Sequence, residues 1–147
     1  MKLNMAALCD RATVREGLLH ILGAGVTQTS LVLPTAPDLD LAILIRAETW
    51  HDLSGMHHVS VTVRHEDGAE AGQVLLGWEA PQVETQDDSA APNQPLPQLP
   101  LVVPLRSIML TQQGEHLVSL QVDGSELAAL SFNVTKAELP GVTVQLR

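Results

Sequence analysis

The dominant pattern of this chain is alternation of apolar and polar positions, and it predicts strands. In residues 38–49, Leu39, Leu41, Ile43, Ile45 and Ala47 fall on one side of an extended chain, against Asp40, Arg46 and Glu48 on the other. Pro34 and Pro37 insulate this segment from what precedes it. In residues 58–64, Val59, Val61 and Val63 alternate with His58, Ser60, Thr62 and Arg64. Asp67 and Gly68 then predict a hairpin turn, because both residue types accept positive φ. The returning strand, 70–79, carries Val74, Leu76 and Trp78 on one face. Residues 114–134 predict a second hairpin, in which Val118, Leu120 and Val122 alternate up to an Asp123-Gly124 turn and Ala128, Leu130, Phe132 and Val134 alternate on the way back. Residues 101–110 predict a strand that Pro104 pushes to a sheet edge. A last strand, 141–147, presents Val142, Val144 and Leu146, either closing a sheet or lying free at its edge.

The first 34 residues are harder to read. Leu3, Met5, Ala7 and Cys9 alternate against Lys2, Asn4 and Asp10, but Leu8 falls on the polar side. A short helix over 11–22 stays open. The run from Leu18 to Leu22 is apolar on both faces, which predicts a strand buried between layers, and Gly23 and Gly25 predict a bend that carries the chain from one sheet to the other. The sum is an all-β, antiparallel two-sheet β-sandwich of eight or nine strands with little helix, in a single domain spanning 1–147.

Residues 81–100 break the pattern, with prolines at 81, 92, 95, 97 and 100. A loop of that length inside a compact domain is a functional segment or a solvated connection. Two readings follow: a crossover between sheets, or a polyproline-like arm through Pro92, Pro95 and Pro97 that packs on a neighbouring subunit or recruits a partner.

Composition narrows the picture. With 147 residues the chain can bury a core without disulfides, and since Trp50, Trp78 and Phe132 are its only aromatic residues, that core must be aliphatic. A formal charge of −9 with eight scattered basic residues opposes binding to nucleic acid or to an anionic membrane. Cys9 is the only cysteine, as expected of a chain made for a reducing compartment, the cytoplasm. Charges at Lys2, Asp10, Arg11, Arg15 and Glu16 interrupt any signal-like apolar region, and no run reaches membrane-spanning length.

Little in the chain carries chemistry. Gly23 and Gly25 lack the third glycine of a dinucleotide loop, Gln28 standing in its place. His51, His57 and His58, with Asp52 beside them, offer donors for a divalent metal, although His57 and His58 project to opposite faces of a strand and no cysteine accompanies them. The competing reading is a loop of solvated histidines. Cys9 reads as a small buried hydrophobe, no Gly-x-Ser-x-Gly elbow exists, and Asp87-Asp88 lies in the proline-rich segment, where nothing holds it in a catalytic geometry. Trp78 continues a core face, whereas Trp50 stands at a strand end as a candidate exposed contact.

The pattern CDRA at 9–12, GLLHILGAG at 17–25 and VDGSELAALSFNV at 122–134 resembles an uncharacterised family of small bacterial β-sandwich proteins, immunoglobulin-like in the last hairpin. The resemblance implies a fold and no reaction. The expectation is therefore a non-enzymatic interaction or assembly module without cofactors or a resident metal, its partners being protein, either further copies of itself or other subunits of a bacterial or phage-encoded complex. Trp50, Pro92, Pro95, Pro97, Val142 and Val144 are the expected contacts. The alternative is a small-molecule or divalent-metal binding module centred on residues 50–58.

Overall fold

The computed structural model describes residues 1–80 and 95–141, with only the backbone described at Trp50. Among the described residues, nine strands form two sheets. β1 (Lys2–Arg15), β2 (Leu18–Ala24), β4 (Asp40–Arg46) and β7 (Gln98–Pro104) make a four-stranded sheet in the order β2-β1-β4-β7. The five-stranded sheet contains β3 (Gln28–Leu31), β5 (Gly55–His65), β6 (Glu70–Ala80), β8 (Gly114–Val122) and β9 (Ser125–Lys136), in the order β3-β9-β8-β5-β6. The only helical turn among the described residues is a 3-10 turn at Trp50–Leu53, capped by the Asp52 carboxylate, which accepts from the Glu48 and Thr49 amides at 2.7 and 3.0 Å. No described helix is long and apolar enough to cross a membrane.

The core lies between the sheets and is aliphatic. Leu41, Ile43, Ile45 and Val103 face Val59, Val61, Val63, Val118 and Leu120 across it, all fully buried, and Phe132 is fully buried with them. Both Asp-Gly turns form where the sequence places them. Gly68 has φ +90°, and the Asp123-Gly124 pair, at +50° and +80°, joins β8 to β9 through two residues.

The amino-terminal third differs from its reading in four respects. No helix forms over 11–22: Glu16 and Gly17, at φ +53° and +74°, make a two-residue turn that pairs Arg15 with Leu18. The register of β1 against β4 shifts between Leu3 and Met5, so a bulge switches the face of the strand. Leu3 points to the core ahead of it, Ala6 and Leu8 point there beyond it, and Met5, Ala7 and Cys9 point away, which is why Leu8 broke the alternation. β2 is a terminal strand rather than a layer-spanning one, with Leu18 63% and Leu22 69% exposed. Beyond Gly25, at φ +88°, the chain does leave the four-stranded sheet for β3 in the other, as the glycine break predicted. Finally, the pairing is not wholly antiparallel, since β3 runs parallel to β9.

β7 is an edge strand, as Pro104 foretold, but it begins at Gln98 and ends at Pro104, so the expected 81–100 loop is shorter at its far end and the expected strand over 101–110 stops early. The predicted strand at 141–147 and most of the proline-rich segment lie outside the described residues.

Candidate functional site

The two sheets turn very different surfaces outward. In the five-stranded sheet the positions facing away from the core are mainly hydroxyl, amide and charged groups. Ser60 and Thr62 on β5 lie beside Gln73 on β6, whose side-chain amide donates to the Ser60 hydroxyl at 2.7 Å, and the Ser119 hydroxyl donates to Glu126 at 3.0 Å. In the four-stranded sheet the register builds an apolar face. Met5, Leu44 and Pro100 form one row across β1, β4 and β7, and Ala7, Ala42 and Val102 form the next. Ala42 and Cys9 are fully buried between larger neighbours, while Met5, Leu44, Pro100 and Val102 are half-buried. β2 approaches β7 although β1 and β4 stand between them in the strand order, so the four-stranded sheet is curled.

A charged ladder closes one end of it. Asp40 stands in the row of Cys9 and Pro104, only 2% exposed, and accepts from the Ala12 amide at 2.9 Å and from Arg106 at 2.6 Å. Arg106 also donates to Asp38 at 2.7 Å, and Arg11 clamps Asp38 with two bonds of 2.9 and 3.0 Å. These bonds, from Arg11 first and Arg106 second, hold the Asp38 carboxyl down to about 2. Burial, and then the Asp40 charge, push the Cys9 thiol up, so it stays protonated and donates weakly to the Asp40 carbonyl at 3.4 Å.

The histidines singled out by sequence do not converge. His57 turns inward and stacks on Trp78 with ring centroids 4.7 Å apart. Its Nδ1 lies 2.8 Å from Asp123 and its Nε2 is 2.8 Å from the Ser54 carbonyl, so both ring nitrogens are engaged. His58 points to the opposite face, its amide donating to Asp123 at 2.9 Å, and His51 is exposed in the 3-10 turn. Among the described residues no three His, Cys, Asp or Glu side chains gather as a metal ion would require. His57 ties the Ser54 segment to the β8-β9 turn, which is a positioning task. Trp78 does pack on the core, and its indole nitrogen is buried with no partner among the described residues.

A second pair of histidines, His65 and His116, sits at the other end of the five-stranded sheet. His65 donates through Nε2 to the Gln113 carbonyl at 2.9 Å and turns Nδ1 to Asp67, which raises its pKa, the Gln113 bond contributing most. His116 lies edge-on to it at 5.1 Å, stacks on Phe132, and is held neutral by burial. An open depression of about 430 Å3 adjoins His65, between Pro34, the 111–113 segment and Lys136.

Of the expected contact residues, Pro95 is exposed and Pro97 is half-buried, its carbonyl accepting from the Ala47 amide at 3.1 Å. Pro92, Val142, Val144 and the Trp50 side chain lie outside what is described. Sequence reasoning missed the apolar outer face, although a signal existed. The stretches Leu41–Ala42–Ile43–Leu44–Ile45 and Leu101–Val102–Val103 are apolar at every position, and that is the pattern of strands covered on both sides.

The Family of unknown function (DUF6941) matches residues 4–135, and the chain belongs to that family. No curated protein matches the sequence. Among solved structures, the fold is similar to part of the Pseudomonas fluorescens alkylpurine DNA glycosylase AlkC bound to DNA containing an abasic site analog, at 12% identity and a TM-score of 0.38. That match covers 88% of this chain and 30% of that one, and likeness at this level transfers no activity.

Proposed function

We propose that this member of a family of unknown function is a protein-docking module, one component of a larger assembly, that works by contact rather than by catalysis. The observation that carries the reading is the asymmetry of the sandwich. One outer face is mainly hydroxyls, amides and charges, with Met56, Leu75 and Leu117 exposed singly among them, whereas the other offers a contiguous set of Met5, Ala7, Leu44, Pro100 and Val102 with a charged ladder at its rim. An apolar centre bordered by charges is the anatomy of a recognition surface, and water is a poor permanent neighbour for it. Three of the reactive groups are occupied in structural roles: His57 and His65 each have both ring nitrogens facing bonding partners, and the Cys9 thiol is buried. The bacterial or phage-encoded setting and the cytoplasmic location belong to the same reading, the latter resting on the single buried cysteine.

Paired variants test it. Leu44→Glu and Val102→Glu place charge on the apolar face, and Leu75→Glu places the same charge on the opposite sheet, where Leu75 is 69% exposed. Quantitative co-purification from the native host should show proteins retained by the wild type and by Leu75→Glu but lost from both other variants, with unchanged far-UV circular dichroism. Identical recovery by all four chains would overturn the reading.

A further inference from the structure

Among the described residues the two sheets have four terminal strands, and three are visibly guarded against pairing with another chain. β7 carries Pro100 and Pro104, β3 is only four residues long, and β6 has Glu70 and Glu79 near its ends. β2 has no such device. From Leu18 to Ala24 it contains neither charge nor proline. Its exposed face presents Leu18, His20 and Leu22, and the opposite face presents half-buried Leu19 and Ile21.

We propose that β2 pairs antiparallel with β2 of a second copy about a two-fold axis at His20. The proposal uses an edge rather than the outer face, so it goes beyond the docking reading and either can hold without the other. The sequence Leu18-Leu19-His20-Ile21-Leu22 is nearly the same in both directions. An isologous interface demands that self-complementarity. Antiparallel pairing about His20 sets Leu18 against Leu22 of the second copy, Leu19 against Ile21, and His20 against itself, so apolar side chains meet on both faces of the joined sheet.

The fold provides access for such a copy. β1 pairs with β4 only as far as Cys9, whereas its pairing with β2 continues from Arg11 to Arg15. The end of the β1-β2 hairpin is therefore a two-stranded ribbon that runs past β4. A depression of about 310 Å3, lined by Arg11, Thr13, His20 and Leu22 among others, lies on it where Leu18 of the second copy arrives. Charge agrees. The chain as a whole is at −9, yet residues 10–25 hold two acidic and two basic side chains, Asp10 and Glu16 with Arg11 and Arg15, so two copies repel least here. A seven-residue edge buries less than the ~800 Å2 per partner of a standard interface, as in a weak, concentration-dependent dimer.

Sedimentation velocity over the micromolar range, together with cross-linking, tests both the contact and its register. The wild type should show a concentration-dependent dimer, and Leu18→Glu should weaken it at least ~10-fold. Adding Leu22→Lys to Leu18→Glu sets opposite charges face to face twice across the axis and should restore the dimer. His20→Cys should form a disulfide-linked dimer under mild oxidation, and Leu22→Cys should not; native Cys9 is fully buried and leaves the assay clean. A wild type that stays monomeric throughout, or a Leu18→Glu chain that dimerises like it, overturns the proposal. A dimer that Leu18→Glu weakens but Leu22→Lys fails to restore overturns the two-fold register. Leu44→Glu serves as the control for the outer face, since it should leave this dimer intact.

Discussion

Asp40 is an anion fixed at the border of an apolar face, 2% exposed, with an amide and a guanidinium as its partners. Asp40→Asn keeps the shape but removes the charge that Arg106 meets at 2.6 Å. Arg106 is partly open to water and retains Asp38, so the expected loss is about 1–3 kcal/mol in urea unfolding. An unchanged midpoint would show that the ladder contributes no stability. Glu48, Asp52, Asp67 and Asp123, all lowered, add to the acid side of the pH dependence, and three more groups shape it. Asp38, depressed to about 2, contributes stability that is complete above pH ~4 and lost as pH falls toward 2. His65, raised, contributes stability that is complete below pH ~6.5 and lost as pH rises through its folded value. His116 is lowered by burial and must stay neutral, so its share is lost as pH falls below ~6.5. The melting temperature should therefore peak near pH ~6.5, and His65→Gln should flatten the alkaline side. A profile that still falls on that side in the variant would remove His65 from the account. None of these pairings could be read from the sequence, because Arg106 stands 66 residues from Asp40 and His65 and Gln113 are 48 apart.

At the scale of elements, legibility followed locality. The β5-β6 and β8-β9 hairpins were plain, since alternation and an Asp-Gly turn lie within one short window. β1 was obscured by its bulge, which shifts the alternation by one residue between Leu3 and Met5 without any Gly or Pro to mark it. β2 was placed wrongly for a different reason. A strand apolar on both faces signals burial between layers, and the same pattern arises here in an edge ribbon whose Leu18 and Leu22 stay exposed. The glycine break was read correctly and can be tested. Gly25, at φ +88°, has open space where a Cβ would go, so only backbone strain opposes a side chain there. Gly25→Val should cost about 1–3 kcal/mol in urea unfolding, because a β-branched residue is a poor occupant of that region. If stability is unchanged, the bend between the sheets does not depend on glycine.

For the whole molecule, the outer faces differ, one mainly polar and the other apolar along β1, β4 and β7. Composition alone conveyed the net charge of −9 and concealed how unevenly the charge is spread, because Lys2, Arg11, Arg15, Arg46 and Arg106 all belong to the four-stranded sheet or its border. A molecule of that net charge resists meeting its own copies until salt screens the repulsion. Raising sodium chloride should thus increase the sedimenting dimer, and a decrease would mean that ion pairs, instead of the apolar edge, hold it. The parallel pairing of β3 with β9, residues 28–31 with 133–136, has a consequence for the birth of the protein. A chain emerging from the ribosome at about 5–20 residues per second exposes β3 for roughly 5–20 s before its partner has been made. The first sheet can begin to assemble from β1, β2 and β4 during that interval, and the second is closed only once β9 has been translated.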